Sequence, residues 1–260
     1  MQHFQELIPL SKIEVTPQET LTIKRNDLVP LIHDQYRLNH YAEHLVQAQS
    51  VLLNGVDPEL TRQLSQTIEQ LIQALADSKK YLKKRNFNAL QKWLGIDIEY
   101  QSGQVGYYRN LDRLLAQADH LSQRLQIEIQ KSQARFQQLL GLREQMAKYI
   151  VAAQEFLNEY PAFIKNQQPL DNFAERLSKK INTLQTLQAS NDIAITQIRL
   201  SQQLSFSLLD RFKEAQQVLI PAWQYHVQQT NLKHSDAELE KLDNSRENLI
   251  RTLKKSLEKH

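Results

Sequence analysis

From Leu111 to Tyr160 the apolar positions step by four and three without a break: Leu111, Leu115, Ala118, Ser122, Leu125, Ile129, Ser132, Phe136, Leu139, Arg143, Met146, Ile150, Ala153, Leu157 and Tyr160. Only Ser122, Ser132 and Arg143 interrupt the apolar character. A 3.5-residue repeat places all of these side chains on one narrow helix seam, the geometry a partner helix needs for coiled-coil packing. No proline intervenes before Pro161. At 1.5 Å per residue such a helix would run roughly 75 Å. The expectation is therefore an all-α protein, an elongated antiparallel helical bundle or coiled-coil rod with long helices, and not a globule built around a pocket.

Composition narrows the chemistry. The chain has five glycines, and Gly55, Gly95, Gly103 and Gly106 fall between periodic segments, leaving Gly141 inside a helix. That scarcity argues against glycine-rich phosphate loops. Cysteine is absent, which removes disulfides, thiolate metal sites and thiol redox chemistry together. Thirty-two basic and 29 acidic residues nearly balance to a net +3, so no nucleic-acid partner is expected. The N-terminus lacks a charged region followed by an apolar stretch, and no apolar run approaches the ~20 residues of a membrane span. A cytoplasmic protein is expected, with attachment to the inner face of the membrane as the alternative.

In chain order, residues 1–26, with Pro9 and Pro17, read as an extended arm. Asn26 or Asp27 is the expected cap of a first helix carrying Leu31, Leu38, Leu45 and Leu52 at seven-residue intervals. Leu53 to Pro58 is a helix stop and restart, with Asp57 capping and Pro58 in the first turn of helix two. Together with a short amphipathic segment, residues 27–95 would form a helical hairpin. Residues 96–107 read as a glycine-containing loop, and 108–260 as a long-helix coiled-coil region, separate from 27–95 or one continuous domain with it, that Pro161 to Pro169 turns back on itself. Asp171 is the expected cap of the return helix, Pro221 is expected to kink it before Trp223, and Ser235-Asp236-Ala237-Glu238 reads as a capping box.

Three groups of residues invite a functional reading. Lys79, Lys80, Lys83, Lys84 and Arg85, followed by Phe87 and Trp93, could dock on anionic lipid headgroups; the simpler reading is cations at a helix C-terminus and aromatics plugging a bundle end. Between Gln188 and Ser207 the seam turns polar, with Asn191, Gln197, Ser201 and Ser205 on it. Polar seam residues set register, or line a small cavity for a partner or ligand. His40 and His44 lie four apart, but no third ligand is evident, and no metal or other cofactor is expected. Carboxylates lie scattered along solvent faces and no Ser/His/Asp grouping is recognisable, so no catalytic residues are assigned and no enzyme is expected.

The stretch Asn191-Asp192, then Gln197 and Ser201, then Ile220-Pro221-Ala222-Trp223 resembles the toxic anion resistance (TelA) family. Lys84-Arg85-Asn86-Phe87 through Trp93-Leu94-Gly95, Tyr149-Ile150-Val151-Ala152-Ala153 and the run from Asn244 to Leu253 are similar to further segments of that family. The likeness spans about residues 80–260, with Ser190 and Ala153 departing from the family pattern. The resemblance implies a helical stress-response protein, linked to tolerance of tellurite and other damaging agents, without established catalysis. It would act through a protein partner or self-association, with Asn191, Asp192, Gln197, Ser201, Pro221 and Trp223 as the candidate residues.

Overall fold

The computed structural model describes residues 7–32, 34–82, 96–163, 172–233 and 236–258. Among them the regular structure is entirely helical. The main helices are α1 (Pro17–Ile23), α2 (Gln35–Asn39), α3 (Glu43–Leu52), α4 (Pro58–Leu82), α5 (Ile96–Phe163), α6 (Phe173–Glu214), α7 (Ile220–Lys233) and α8 (Asp236–Leu257). The all-α expectation holds.

The chain folds as two compact units, each assembled from two separate stretches: Met1–Gly55 with Ser132–Leu200, and Val56–Lys131 with Ser201–His260. In the first, Ile23, Leu28, Leu31, Leu38 and Leu45 pack with Met146, Ile150, Phe156 and Tyr160 of α5 and with Phe173, Leu177, Ile181 and Leu184 of α6. In the second, Leu60, Leu64, Ile68, Leu71 and Leu75 of α4 pack with Leu111 to Ile129 of α5, Leu208 to Phe212 of α6, Trp223 of α7 and Leu242 to Leu253 of α8. Most of the four-three seam on α5 is buried, from Leu111 through Tyr160. Leu114, Leu121, Ala147 and Phe156 are buried beside it, so the helix uses a face wider than a two-stranded seam.

Several boundaries differ from the sequence reading, for local reasons. The arm expected over residues 1–26 is helical along much of its described length. Thr16 Oγ1 accepts the Glu19 N–H at 3.3 Å and Glu19 Oε2 accepts the Thr16 N–H at 3.0 Å, a capping box with Pro17 at the first helical position. The first helix is not continuous from Asn26. Asp34 caps α2 by accepting the Arg37 N–H at 2.9 Å, and Ala42, with φ 59°, reverses the path before α3. The hairpin expected over residues 27–95 runs beyond the described residues; of its described helices, α3 falls in the first unit and α4 in the second. Residues 96–107 are the start of α5 and not a loop, and Pro161 sits in the last turn of α5 without ending it at Tyr160. Asp57 does cap α4, accepting the Glu59 N–H at 2.9 Å. The expected cap at Asp171 and the serine of the Ser235 capping box lie outside the described residues, as does the segment from Asn86 to Gly95.

Just before Pro221, where a kink is expected, the helical hydrogen bonding changes. Ala215–Leu219 is a π-helical turn in which the Ile220 N–H bonds the Ala215 carbonyl. A proline inside a helix offers no N–H and its ring crowds the carbonyl four residues earlier; a widened turn just before it absorbs both defects. The same device recurs in the first unit, where Lys24–Leu28 is π-helical, Val29 N–H bonds Lys24 C=O, and Pro30 follows.

Candidate functional site

The residues that stand out chemically form a buried polar layer in the first unit. Asp192 on α6 receives both arms of the Arg143 guanidinium from α5, Nε to Oδ1 at 2.7 Å and Nη2 to Oδ2 at 2.8 Å. Gln188, one turn earlier on α6, donates through Nε2 to Asp192 Oδ1 at 2.7 Å. Gln49 on α3 donates to Gln188 Oε1 at 2.9 Å, and Asn191 donates to Gln49 Oε1 at 2.7 Å. Arg143 Nη2 also donates to the Ile8 carbonyl at 2.8 Å.

The direction of this chain is forced by chemistry. An ionised carboxylate only accepts, so Gln188 must present its NH₂ to Asp192, which leaves Gln188 Oε1 to accept from Gln49, and so on to Asn191. Gln49 and Gln188 are fully buried, Arg143 is 4% exposed and Asn191 7%. At that burial each polar group needs its partner, and the layer supplies them. A bidentate Arg–carboxylate pair fixes geometry strongly, so the layer can hold α3, α5, α6 and the segment at Ile8 in one register. It contains no nucleophile beside a free base.

Around it the N-terminal helices are strapped to α5 by charge. Lys148 donates to Glu19 at 2.6 Å; that hydrogen bond, helped by those from Thr16, holds the Glu19 carboxyl down to about 2. Lys24 bridges Glu155 at 2.7 Å and Glu159 at 2.9 Å. Tyr41 donates to the Tyr149 carbonyl at 2.7 Å, and burial pushes its phenol far above the ordinary range. His40 and His44 do not share a helix face, since the left-handed Ala42 lies between them. His40 Nδ1 sits 2.9 Å from the Tyr36 carbonyl, and His44 packs edge-on against the Tyr149 ring. Among the described residues no group of three His, Cys, Asp or Glu side chains is placed to hold a metal ion.

The remaining candidates are not brought to this layer. Gln197 is exposed, Ser201 is half-buried at the start of the second unit's share of α6, and Pro221 is exposed. Trp223 is 2% exposed in the second unit, beside a small void lined by Leu71, Leu75, Leu111, Leu115, Ile220, Leu249 and Leu253. Its Nε1 finds no acceptor among the described residues. Lys79 and Lys80 lie near the end of α4, while Lys83, Lys84, Arg85 and Trp93 are outside the described residues. Among the described residues no helix is long and apolar enough to cross a membrane.

Sequence reasoning missed Gln49, and the signal was present. It stands four residues after Leu45 and three before Leu52, on the seam itself. Arg143 was visible as an interruption of the α5 seam and Asp192 as part of a polar stretch on α6, but their pairing was not.

The chain is 28% identical over 222 residues to Protein KlaA of Escherichia coli, an alignment covering 84% of this chain and 85% of that protein. No family model and no solved structure matches.

Proposed function

We propose that this chain is a member of the toxic anion resistance (TelA) family, a non-enzymatic helical stress-response protein that acts in the cytoplasm as an interaction scaffold. The observation that carries the reading is the near-full-length similarity to KlaA, taken with the Asn191-Asp192, Ile220-Pro221-Ala222-Trp223 and Tyr149 to Ala153 motifs. The buried polar layer supports the non-enzymatic part. Asp192, the acidic residue of the leading motif, spends its charge on Arg143. Without cysteine the chain has no thiol with which to reduce tellurite, so protection would be indirect.

In a scaffold, buried motif residues hold the shape and exposed ones meet the partner. The test is tellurite tolerance of a deletion strain complemented with wild type or with Gln197→Arg, at an exposed position, the variant's fold being checked by circular dichroism. Sensitisation by deletion, reversed by wild type and not by the folded variant, is the expected outcome. A deletion strain as tolerant as its parent would sink the family role.

A further inference from the structure

Helix α6 carries two seams in the first unit. One runs through Leu184, Gln188, Asn191, Ile195 and Ile198 and is buried. Half a turn round, Asn182, Thr186, Ala189, Ile193, Thr196 and Leu200 recur at steps of four and three, the spacing of a coiled-coil contact face. All six are exposed, Ile193 at 63% and Leu200 at 56%.

Charge is missing from this face. Residues 181–200 hold two charged side chains, Asp192 and Arg199, both half-buried, in a chain that is 23% charged. Every exposed position between them is an amide, a hydroxyl, alanine, isoleucine or leucine. Just upstream the same helix exposes Glu175, Arg176 and Lys179, and α8 exposes Glu240, Lys241, Glu247 and Arg251. A face that meets only water carries charge, whereas the centre of a protein–protein contact is depleted of it. The threonines are also ready to be covered. Thr186 Oγ1 donates to the Asn182 carbonyl at 2.9 Å and Thr196 Oγ1 to the Asp192 carbonyl at 2.8 Å, so covering them strands no donor.

The same composition selects the occupant. In a two-fold pairing each patch meets its own copy. A carboxylate or ammonium would oppose its own kind there, but amides and hydroxyls both donate and accept and can bond their counterparts. The six seam positions are symmetric about the level of Asn191. An antiparallel copy therefore sets Ile193 against Ala189 on both sides of the axis, a large residue against a small one. We propose that this uncharged seam of α6 is a homodimer surface, and that a second copy of the chain lies antiparallel along it. The proposal rests on the scaffold reading in that it names the scaffold's partner. Association in solution is measured without any tellurite phenotype, so the two can fail separately.

The experiment is sedimentation velocity on the full chain from roughly 1 to 500 μM, a range that brackets the affinity expected of so short a seam. The intact chain should pass from monomer to dimer as its concentration rises. Ile193→Asp/Leu200→Asp, at exposed positions and with its fold checked by circular dichroism, should weaken the dimer at least tenfold. Two further variants read the orientation, because Thr186 of one antiparallel copy meets Thr196 of the other. Thr186→Glu/Thr196→Glu should weaken the dimer at least tenfold, by like-charge repulsion. Thr186→Glu/Thr196→Lys should dimerise at least as tightly as the intact chain. A chain that stays monomeric throughout, or a dimer indifferent to the two aspartates, overturns the proposal. So does a Glu/Lys variant that dimerises no better than the Glu/Glu one. A monomeric chain that still needs Ile193 and Leu200 for tellurite tolerance would assign the seam to a different protein. A dimer in a strain whose tolerance ignores the deletion would keep the pairing and sink only the family role.

Discussion

The two units bury comparable helix faces and arrange their buried polar groups differently. The first threads Asn191, Gln49, Gln188, Asp192 and Arg143 through its interior in one hydrogen-bonded chain. The second is apolar around Trp223, where a small void is lined by Leu71, Leu75, Leu111, Leu115, Ile220, Leu249 and Leu253 and the indole N–H has no acceptor among the described residues. Yet both handle an internal proline with the same π-helical turn. Backbone defects thus have one local solution in both units, while a continuous buried chain of side-chain hydrogen bonds is seen where four segments of the first unit meet, against separate pairs such as Arg246–Asp243 and Gln216–Asp119 in the second. Apolar packing tolerates sliding along a seam; a directional chain of donors and acceptors does not.

The largest effect should come from the apolar side. Trp223→Ala removes the largest buried side chain there and should cost about 3–5 kcal/mol in urea denaturation. Trp223→Phe keeps most of the packing and removes the orphan N–H, so its cost should stay within about 1.5 kcal/mol. If the phenylalanine variant is as damaging as the alanine one, the indole has a partner and the contrast between the units fails.

Next comes the ion pair of the polar layer. Asp192→Leu strands the buried Arg143 guanidinium and should destabilise by about 3 kcal/mol. Arg143→Met/Asp192→Leu, which removes both charges, should recover most of that loss, and the double-mutant cycle measures the coupling. Additive losses would mean that the pair is solvated and that the layer is no more than a surface network.

Within the amide chain, Gln49→Leu leaves Gln188 Oε1 without its donor and Asn191 Nδ2 without its acceptor, and should cost about 1–3 kcal/mol. The second unit supplies the control. Thr61 and Ser205 form an isolated hydroxyl pair at 3.1 Å. Thr61→Val/Ser205→Ala removes both members together and should change stability by less than about 1 kcal/mol. Equal losses in the two units would erase the distinction between a network and a pair.

Much of this was legible in the sequence, and the misses share a cause. The α5 seam, the Asp57–Pro58 restart and the polar stretch after Gln188 follow from periodicity and capping, which act over three or four residues. Residues 96–107 were misread because Gly103 and Gly106 are weak helix formers, and a helix of 68 residues absorbs two such residues at about 1 kcal/mol each. The Thr16–Glu19 box was readable but was overridden by the nearby prolines, although Pro17 sits where a helix start favours it. The Arg143–Asp192 pair was beyond reach for another reason. Its members lie 49 residues apart on different helices, and nothing local says which seam interruption faces which.

The gentlest way to sharpen the comparison is with acid, because the first unit also carries the charged strap. Glu19 titrates in the folded chain at about 2, against an ordinary value of 4.5, chiefly because Lys148 donates to it and Thr16 adds its own hydrogen bonds. A carboxyl whose folded value lies below its unfolded one contributes stability that is fully present above pH 4.5 and lost as the pH falls from there through about 2. Glu19→Gln should therefore be less stable than wild type at neutral pH, and the two melting curves should converge over that window. Because the carboxylate lies near solvent, added salt should shrink the neutral-pH difference, whereas the part-buried Arg143–Asp192 coupling should change less. A Glu19→Gln difference that persists undiminished at pH 2 would assign the effect to the amide's geometry at the helix start. The charge to Lys148 would then not be what fastens the N-terminal helices of this unit to α5.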